Sequence, residues 1–139
     1  MLIALLLTAE SLPCTKPDGA LPASLSSWTR PGRALSVGKA VTLEVAGVRP
    51  GSEPVGTSSI GFRIQQAGTY VIALDQPGWI DVTSDRGVEP MVWGRHGNGP
   101  ACTSIRQIVT YELKPGSYRL KLTKLAKARA RVMLATGGW

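Results

Sequence analysis

The chain has a single histidine, His96, two cysteines, Cys14 and Cys102, and only nine acidic residues. Zinc and iron sites commonly take three or four His, Cys or carboxylate ligands. One His and two Cys leave such a site to be completed by carboxylates such as Asp81, Asp85 or Glu89, and no ligand spacing is present. There is no phosphate-cradling glycine loop, no G-x-S-x-G and no H-E-x-x-H, the local signatures of nucleotide sites, serine hydrolases and zinc proteases. No stretch approaches the about 18–20 apolar residues of a membrane-spanning helix. Helical periodicity is scarce too. Its two candidates are residues 20 to 28, "ALPASLSSW", and residues 122 to 131, "LTKLAKARAR", and the second reads equally well as strand, basic loop and strand.

What is present suits one core. At 139 residues, with 43% hydrophobic and 18% charged, the chain is long enough for one domain and apolar enough to bury its interior. Apolar residues recur with period two at Val41, Leu43 and Val45, at Phe62 and Ile64, at Tyr70, Ile72 and Leu74, and across Trp79 to Val82. The pattern continues at Tyr118, Leu120 and Leu122, and at Ala130, Val132 and Leu134; between these sets Ile105, Gln107, Val109, Tyr111 and Leu113 share one side. "QPG", "DRG" and "KPG" punctuate these runs at the spacing of an antiparallel sandwich or barrel. The expected fold is all-β: a single antiparallel, jelly-roll-like β-sandwich of about seven or eight strands over residues 13–139, preceded by an N-terminal arm.

Two segments echo each other. "AGTYVIAL" and "PGSYRLKL" each place a glycine, a hydroxyl residue and a tyrosine before alternating apolar residues. A tyrosine just after such a corner packs its ring inward while its hydroxyl bonds the backbone, so Tyr70 and Tyr118 read as structural.

The opening "MLIALLLTAE" has a short apolar run followed by small and polar residues, with no Lys or Arg before Lys16. It reads as a truncated signal peptide over residues 1–12, and the protein as periplasmic or secreted; the competing reading is a short first strand or frayed terminus. An even cysteine count in an oxidising compartment reads first as a disulfide between Cys14 and Cys102, against two free thiols in a reducing one.

Formal net charge is +7, much of the excess lying in Lys114, Arg119, Lys121, Lys124, Lys127, Arg129 and Arg131. Alternation turns Arg119 and Lys121 away from Tyr118, Leu120 and Leu122, giving a solvated basic face that attracts polyanions such as an anionic envelope component. Nucleic acid is not the expected partner, because aromatics for base stacking are not interleaved with these cations.

The stretch "GRHGNGPACTSIR", residues 94 to 106, holds His96 and Cys102 together. It reads as a metal site, a nucleophile with its base, or a glycine-rich loop stapled to the N-terminal arm, and a disulfide at Cys102 favours the last.

The motifs "PCTKPDGALPASLSSW", "GFRIQQAGTYVIALDQPGWIDV" and "HGNGPACTSIRQIVTYELKPGSYRLKL", taken in order over residues 13 to 135, resemble a family of small exported proteins of sphingomonad-type alphaproteobacteria. The resemblance matches Cys14 and Cys102 to that family's two cysteines, Gly68, Tyr70 and Trp79 to Val82 to its central motif, and His96, Gly99, Pro100, Ile105 and Arg106 to its H-x-H-G-P-x-C-x-x-I-R-K motif. Asn98 stands where the family often has a second His, and Gln107 replaces the usual Lys. Members often carry the automatic label homogentisate 1,2-dioxygenase, an enzyme whose iron is held by two His and a Glu; this chain has one His. The "AGTY" corner is also similar to pre-peptidase C-terminal-like domains.

Two function classes follow. One is a non-catalytic exported binding or structural module of the cell envelope, without cofactor, using Trp79, Trp93, Arg95, His96 and Arg106 as its contact surface. The other is a metal-binding protein or metal-dependent enzyme centred on His96 and Cys102, with Asp81.

Overall fold

Period two becomes eight antiparallel strands among the described residues of the computed structural model, which are residues 14, 16–51, 53–87 and 89–137. The signal-peptide expectation for residues 1–12 lies outside them. The strands are β1 (Lys39–Glu44), β2 (Gly56–Ile64), β3 (Gly68–Leu74), β4 (Trp79–Ser84), β5 (His96–Gly97), β6 (Gln107–Leu113), β7 (Gly116–Leu125) and β8 (Arg129–Thr136). They form a five-stranded sheet ordered β1-β8-β3-β6-β5 facing a three-stranded sheet ordered β2-β7-β4. No helix among the described residues is long and apolar enough to cross a membrane.

Between the sheets lies the main core. Tyr70, Ile72 and Leu74 of β3, Val109, Tyr111 and Leu113 of β6, and Val132 and Leu134 of β8 meet Phe62, Ile80, Val82, Leu120 and Leu122 of the opposite sheet. On β7 the alternation is as expected: Leu120 and Leu122 are buried, and Arg119 and Lys121 are exposed. Residues 122 to 131 resolve as strand, turn and strand rather than helix.

The larger sheet is covered on its other face as well. A 3-10 helix, Ala23–Thr29, lays Leu25 and Trp28 on Ala40, Val71, Ala73, Ile108, Met133 and Ala135. Three-residue spacing eclipses side chains in a 3-10 helix, so Leu25 and Trp28 point the same way. Ile105 departs from its expected side. It precedes β6 and packs in this outer cluster, because strand alternation applies only from Gln107 onward.

The arm is tied down at its start. Cys14 and Cys102 form a disulfide with Cα atoms 5.3 Å apart. Asp18, in the left-handed region at φ 64, accepts from the Ser104 backbone N–H at 2.7 Å and from its hydroxyl at 2.6 Å. Ser104 Oγ in turn accepts from the Trp28 indole N–H at 2.9 Å. Gly99 permits the adjoining turn to close, since a Cβ there would stand 2.1 Å from the Ile105 carbonyl oxygen.

The echo is two tyrosine corners. Tyr70 donates its hydroxyl to the Gln66 carbonyl at 2.6 Å, and Tyr118 to the Lys114 carbonyl at 2.7 Å, each four residues upstream. Tyr118 also accepts from the Lys114 N–H at 3.0 Å. Removing these hydroxyls is expected to cost about 1 kcal/mol for Tyr70→Phe and up to about 2 kcal/mol for Tyr118→Phe, which strands two backbone groups. Urea denaturation midpoints unchanged in both variants would contradict this.

Within the described strands, β1-β8-β3-β6 and β2-β7-β4 follow the order of a jelly roll. In that topology the strand between β4 and β6 lies beside β4. Here the chain runs along β4 only as far as Met91, whose N–H donates to Val82 at 2.7 Å. By Gly94, whose N–H donates to Thr110 at 2.8 Å, it has crossed to the other sheet, and β5 pairs with β6. Trp93 rides on that crossing.

Candidate functional site

The crossing leaves a gap between β4 and the β5-β6 edge, and four residues from three separate stretches meet there. Trp79 opens β4, Trp93 lies on the crossing, His96 opens β5 and Gln107 opens β6. With Ile80, Val109 and the Pro77-Gly78 turn they line an open cavity of about 390 Å3, within the ~300–1,000 Å3 typical of small-molecule sites.

The position of His96 is set by backbone bonds on either side of it. Arg95 donates its N–H to Thr110 Oγ1 at 2.7 Å and accepts from the Thr110 N–H at 2.8 Å. His96 then falls opposite Val109 and Gly97 opposite Ile108.

Gln107 is the hub of the site. It is 8% exposed, and its Oε1 accepts from the Gly78 N–H at 3.1 Å. A backbone N–H only donates, which fixes the carboxamide orientation and turns Nε2 toward His96 Nε2 at 2.9 Å. The carboxamide nitrogen also only donates, so His96 Nε2 accepts and the ring proton sits on Nδ1; this tautomer is assigned from the bonding network. Gly78 allows the close approach, since a Cβ there would lie 2.7 Å from Leu125 Cδ2.

Replacing Gln107 with leucine is expected to destabilise the fold by about 1 kcal/mol, chiefly because the half-buried Gly78 N–H loses its partner; His96 is exposed and its Nε2 can turn to water. It should also release the tautomer preference, read from imidazole nitrogen chemical shifts. Unchanged nitrogen shifts in the variant would sink the assignment.

The two tryptophans remain half exposed, Trp79 at 54% and Trp93 at 50%. The Trp93 ring is tilted 52° against His96 with centroids 5.7 Å apart. Trp79 carries the Lys124 ammonium over its ring at 5.4 Å, a cation–π contact that helps fix its plane. Lys124 adopts φ 56 at the point where the β2-β7 register slips by one residue, and such bulges re-aim side chains. Trp79 also borders a second, wider cleft of about 870 Å3 with Lys124, Val55 and Pro54, and the two clefts share Pro77, Gly78 and Trp79.

Of the five residues expected to form one contact surface, Trp79, Trp93 and His96 converge and the two arginines do not. Arg95 immediately precedes the edge strand, outside the cavity lining. Arg106 borders a separate small cleft with Asp75, Ser104, Lys127 and Arg131. The alternative metal trio is not assembled either: Cys102 is bonded to Cys14, His96 Nε2 is taken by Gln107, and Asp81 is not among the cavity residues. Asp81 acts on Tyr111 instead. Burial first, and then the Asp81 charge, pushes the Tyr111 hydroxyl well above the usual tyrosine range, so it stays neutral and donates to the Ile80 carbonyl at 3.3 Å.

Sequence reasoning misses Gln107 and Asp18. Both lie within stretches quoted for the resemblance, but nothing in those stretches marks their partners, 11 and 86 residues away. Of "GRHGNGPACTSIR", His96 and Gly97 are a short edge strand, and the residues around Cys102 are a stapled turn.

No protein-family profile matches the chain, and no curated protein matches it. Among solved structures it is similar to the crystal structure of the pre-peptidase C-terminal domain of a collagenase from Bacillus anthracis. The two share 16% identity with a TM-score of 0.49, over 76% of this chain and 97% of that one.

Proposed function

We propose that this protein is an exported, non-catalytic binding module of the cell envelope and that the cleft of Trp79, Trp93, His96 and Gln107 is its contact site. The observation that carries the reading is the pair of half-exposed indoles held around one cleft by elements of both sheets. Isolated exposed apolar residues are ordinary, but two large rings converging beside fixed polar groups form the apolar wall and orienting contacts of a ligand site. Gln107 occupies His96 Nε2, which holds both side chains in place on the cleft wall. Export is supported by the Cys14–Cys102 bond, which persists in oxidising compartments, and by the apolar start of the chain.

Sedimentation with isolated Gram-negative envelopes tests this. The purified protein is expected to co-sediment, and the Trp79→Ala/Trp93→Ala variant to lose about tenfold in bound fraction, the scale of an aromatic hot spot. Its melting temperature should hold, since both rings are half exposed. Equal sedimentation of variant and parent overturns the reading. Loss on reversing the charges of Arg119 and Lys121, with no effect of the tryptophans, would move the contact to the basic face.

A further inference from the structure

We infer that the ligand of the Trp79-Trp93 cleft is a neutral oligosaccharide; this rests on the reading above of that cleft as the binding site.

Charge narrows the class first. The protein carries a formal net charge of +7, yet no Asp, Glu, Lys or Arg side chain is among the residues lining the smaller cleft. An ionic ligand would lose its hydration there without gaining a counter-charge. The complementary ligand is uncharged.

The floor then excludes a purely apolar one. After bonding each other and Gly78, Gln107 retains one N–H and one oxygen lone pair, and the His96 ring retains its Nδ1–H. Covering such groups with hydrocarbon would leave them unpaired at a cost. Hydroxyl groups answer both needs, since each donates and accepts.

The walls ask for something different. An indole face is electron-rich and attracts the polarised C–H groups of a flat apolar surface. A pyranose ring combines the two requirements, with C–H groups on its faces and hydroxyls around its rim. Rings preset by Lys124 on Trp79, and by β5-β6 pairing beside Trp93, lose little freedom on binding.

The shared Trp79 ridge selects a chain over a single sugar. A chain lying along Trp79 passes from the narrow cleft, with Trp93 and His96, into the wider one, whose lining adds Val55 and Thr123 and one charge of each sign, Glu53 and Lys124. Additional rings therefore find wall on the far side.

The test is titration of the intact, oxidised protein by tryptophan fluorescence and by the indole and imidazole signals in NMR. The probes are hexamers of β-1,4-linked glucose, β-1,4-linked N-acetylglucosamine and α-1,6-linked glucose, an acidic oligogalacturonate, and a proline-rich decapeptide. At least one neutral hexamer should saturate, shift the Trp79, Trp93 and His96 signals, and bind about tenfold more tightly than its dimer. Trp79→Ala and Trp93→Ala should each lower that affinity about tenfold, and raising salt should leave it nearly unchanged. Failure of every neutral hexamer, saturation by the acidic glycan or the peptide instead, or binding abolished by salt overturns the inference. If envelope sedimentation stays tryptophan-dependent while the neutral probes fail, the ligand class is wrong and the cleft remains the site; if sedimentation ignores the tryptophans, both fall.

Discussion

Truncating Trp28 to alanine is expected to destabilise the protein by about 3–5 kcal/mol, the cost of emptying a buried aromatic site. For a chain of this length that corresponds to a fall in melting temperature of roughly 10–20 °C. Trp28 is 0% exposed and is the largest side chain of the outer cluster, set against Val71, Ile108 and Met133. Neighbouring side chains cannot refill the volume, because Ala40, Ala73 and Ala135 have no reach and the sheet beneath them is rigid. The loss is also polar. Ser104 loses the indole donor that completes its bonds with Asp18, and Arg131 loses the ring under its guanidinium, 5.7 Å from the centroid. A surface ion pair offers a contrast: Arg129–Glu44, with both side chains more than two-thirds exposed, should be worth well under about 1 kcal/mol. Thermal denaturation checks both, and a Trp28→Ala midpoint within about 2 °C of the parent would contradict the assignment of the outer cluster as a second core.

Removing the disulfide is the second large effect. Cys14 and Cys102 close a loop of 88 residues, and on the chain-entropy account opening it restores freedom to the unfolded chain worth about 4–5 kcal/mol. The Cys14→Ser/Cys102→Ser variant should therefore melt well below the oxidised parent, and reducing agent should move the parent toward the variant. The arm does not depend on the bond alone, since Asp18 also accepts twice from Ser104 and donates its N–H to the Cys102 carbonyl at 2.8 Å. The double-cysteine and Trp28 changes act on the same arm, so their combination should cost less than the sum. Identical oxidised and reduced melting curves would refute the prediction. Cys102 lies in the β5–β6 connection, between His96 and Gln107, but outside the cleft lining, so ligand affinity should survive reduction as long as β5 and β6 stay paired.

The strands of the main core are legible in the sequence because one face of each is apolar and the other is not. On β7 that alternation holds from Tyr118 to Leu122, and Arg119 and Lys121 fall where it puts them. β2 is legible only in its second half, at Ile60, Phe62 and Ile64; its first half, with Gly56, Thr57, Ser58 and Ser59, has no apolar period and pairs with β7 through its backbone. The outer layer is hidden for a different reason. Val71, Ala73, Met133 and Ala135 are small or adaptable residues that solvent or a second layer would both tolerate, and only Leu25 and Trp28 decide between them. His96 is conspicuous by being alone, whereas its partner Gln107 is one polar residue at a strand start, and polar strand starts are common. Trp79 and Trp93 converge because β5 changes sheets, a topological event with no local sequence mark.

The arm bond also redirects mechanical load. Tension applied ahead of Cys14 passes through the sulfurs to Cys102 and enters the domain beside β6. Residues 15–101, with β1 to β5 among them, then lie outside the covalent path of force. A pull toward the C-terminus bears on β6, β7 and β8, which cross both sheets. A module anchored by its N-terminal end would thus hold the His96 edge strand off the line of tension while β6, β7 and β8 carry it.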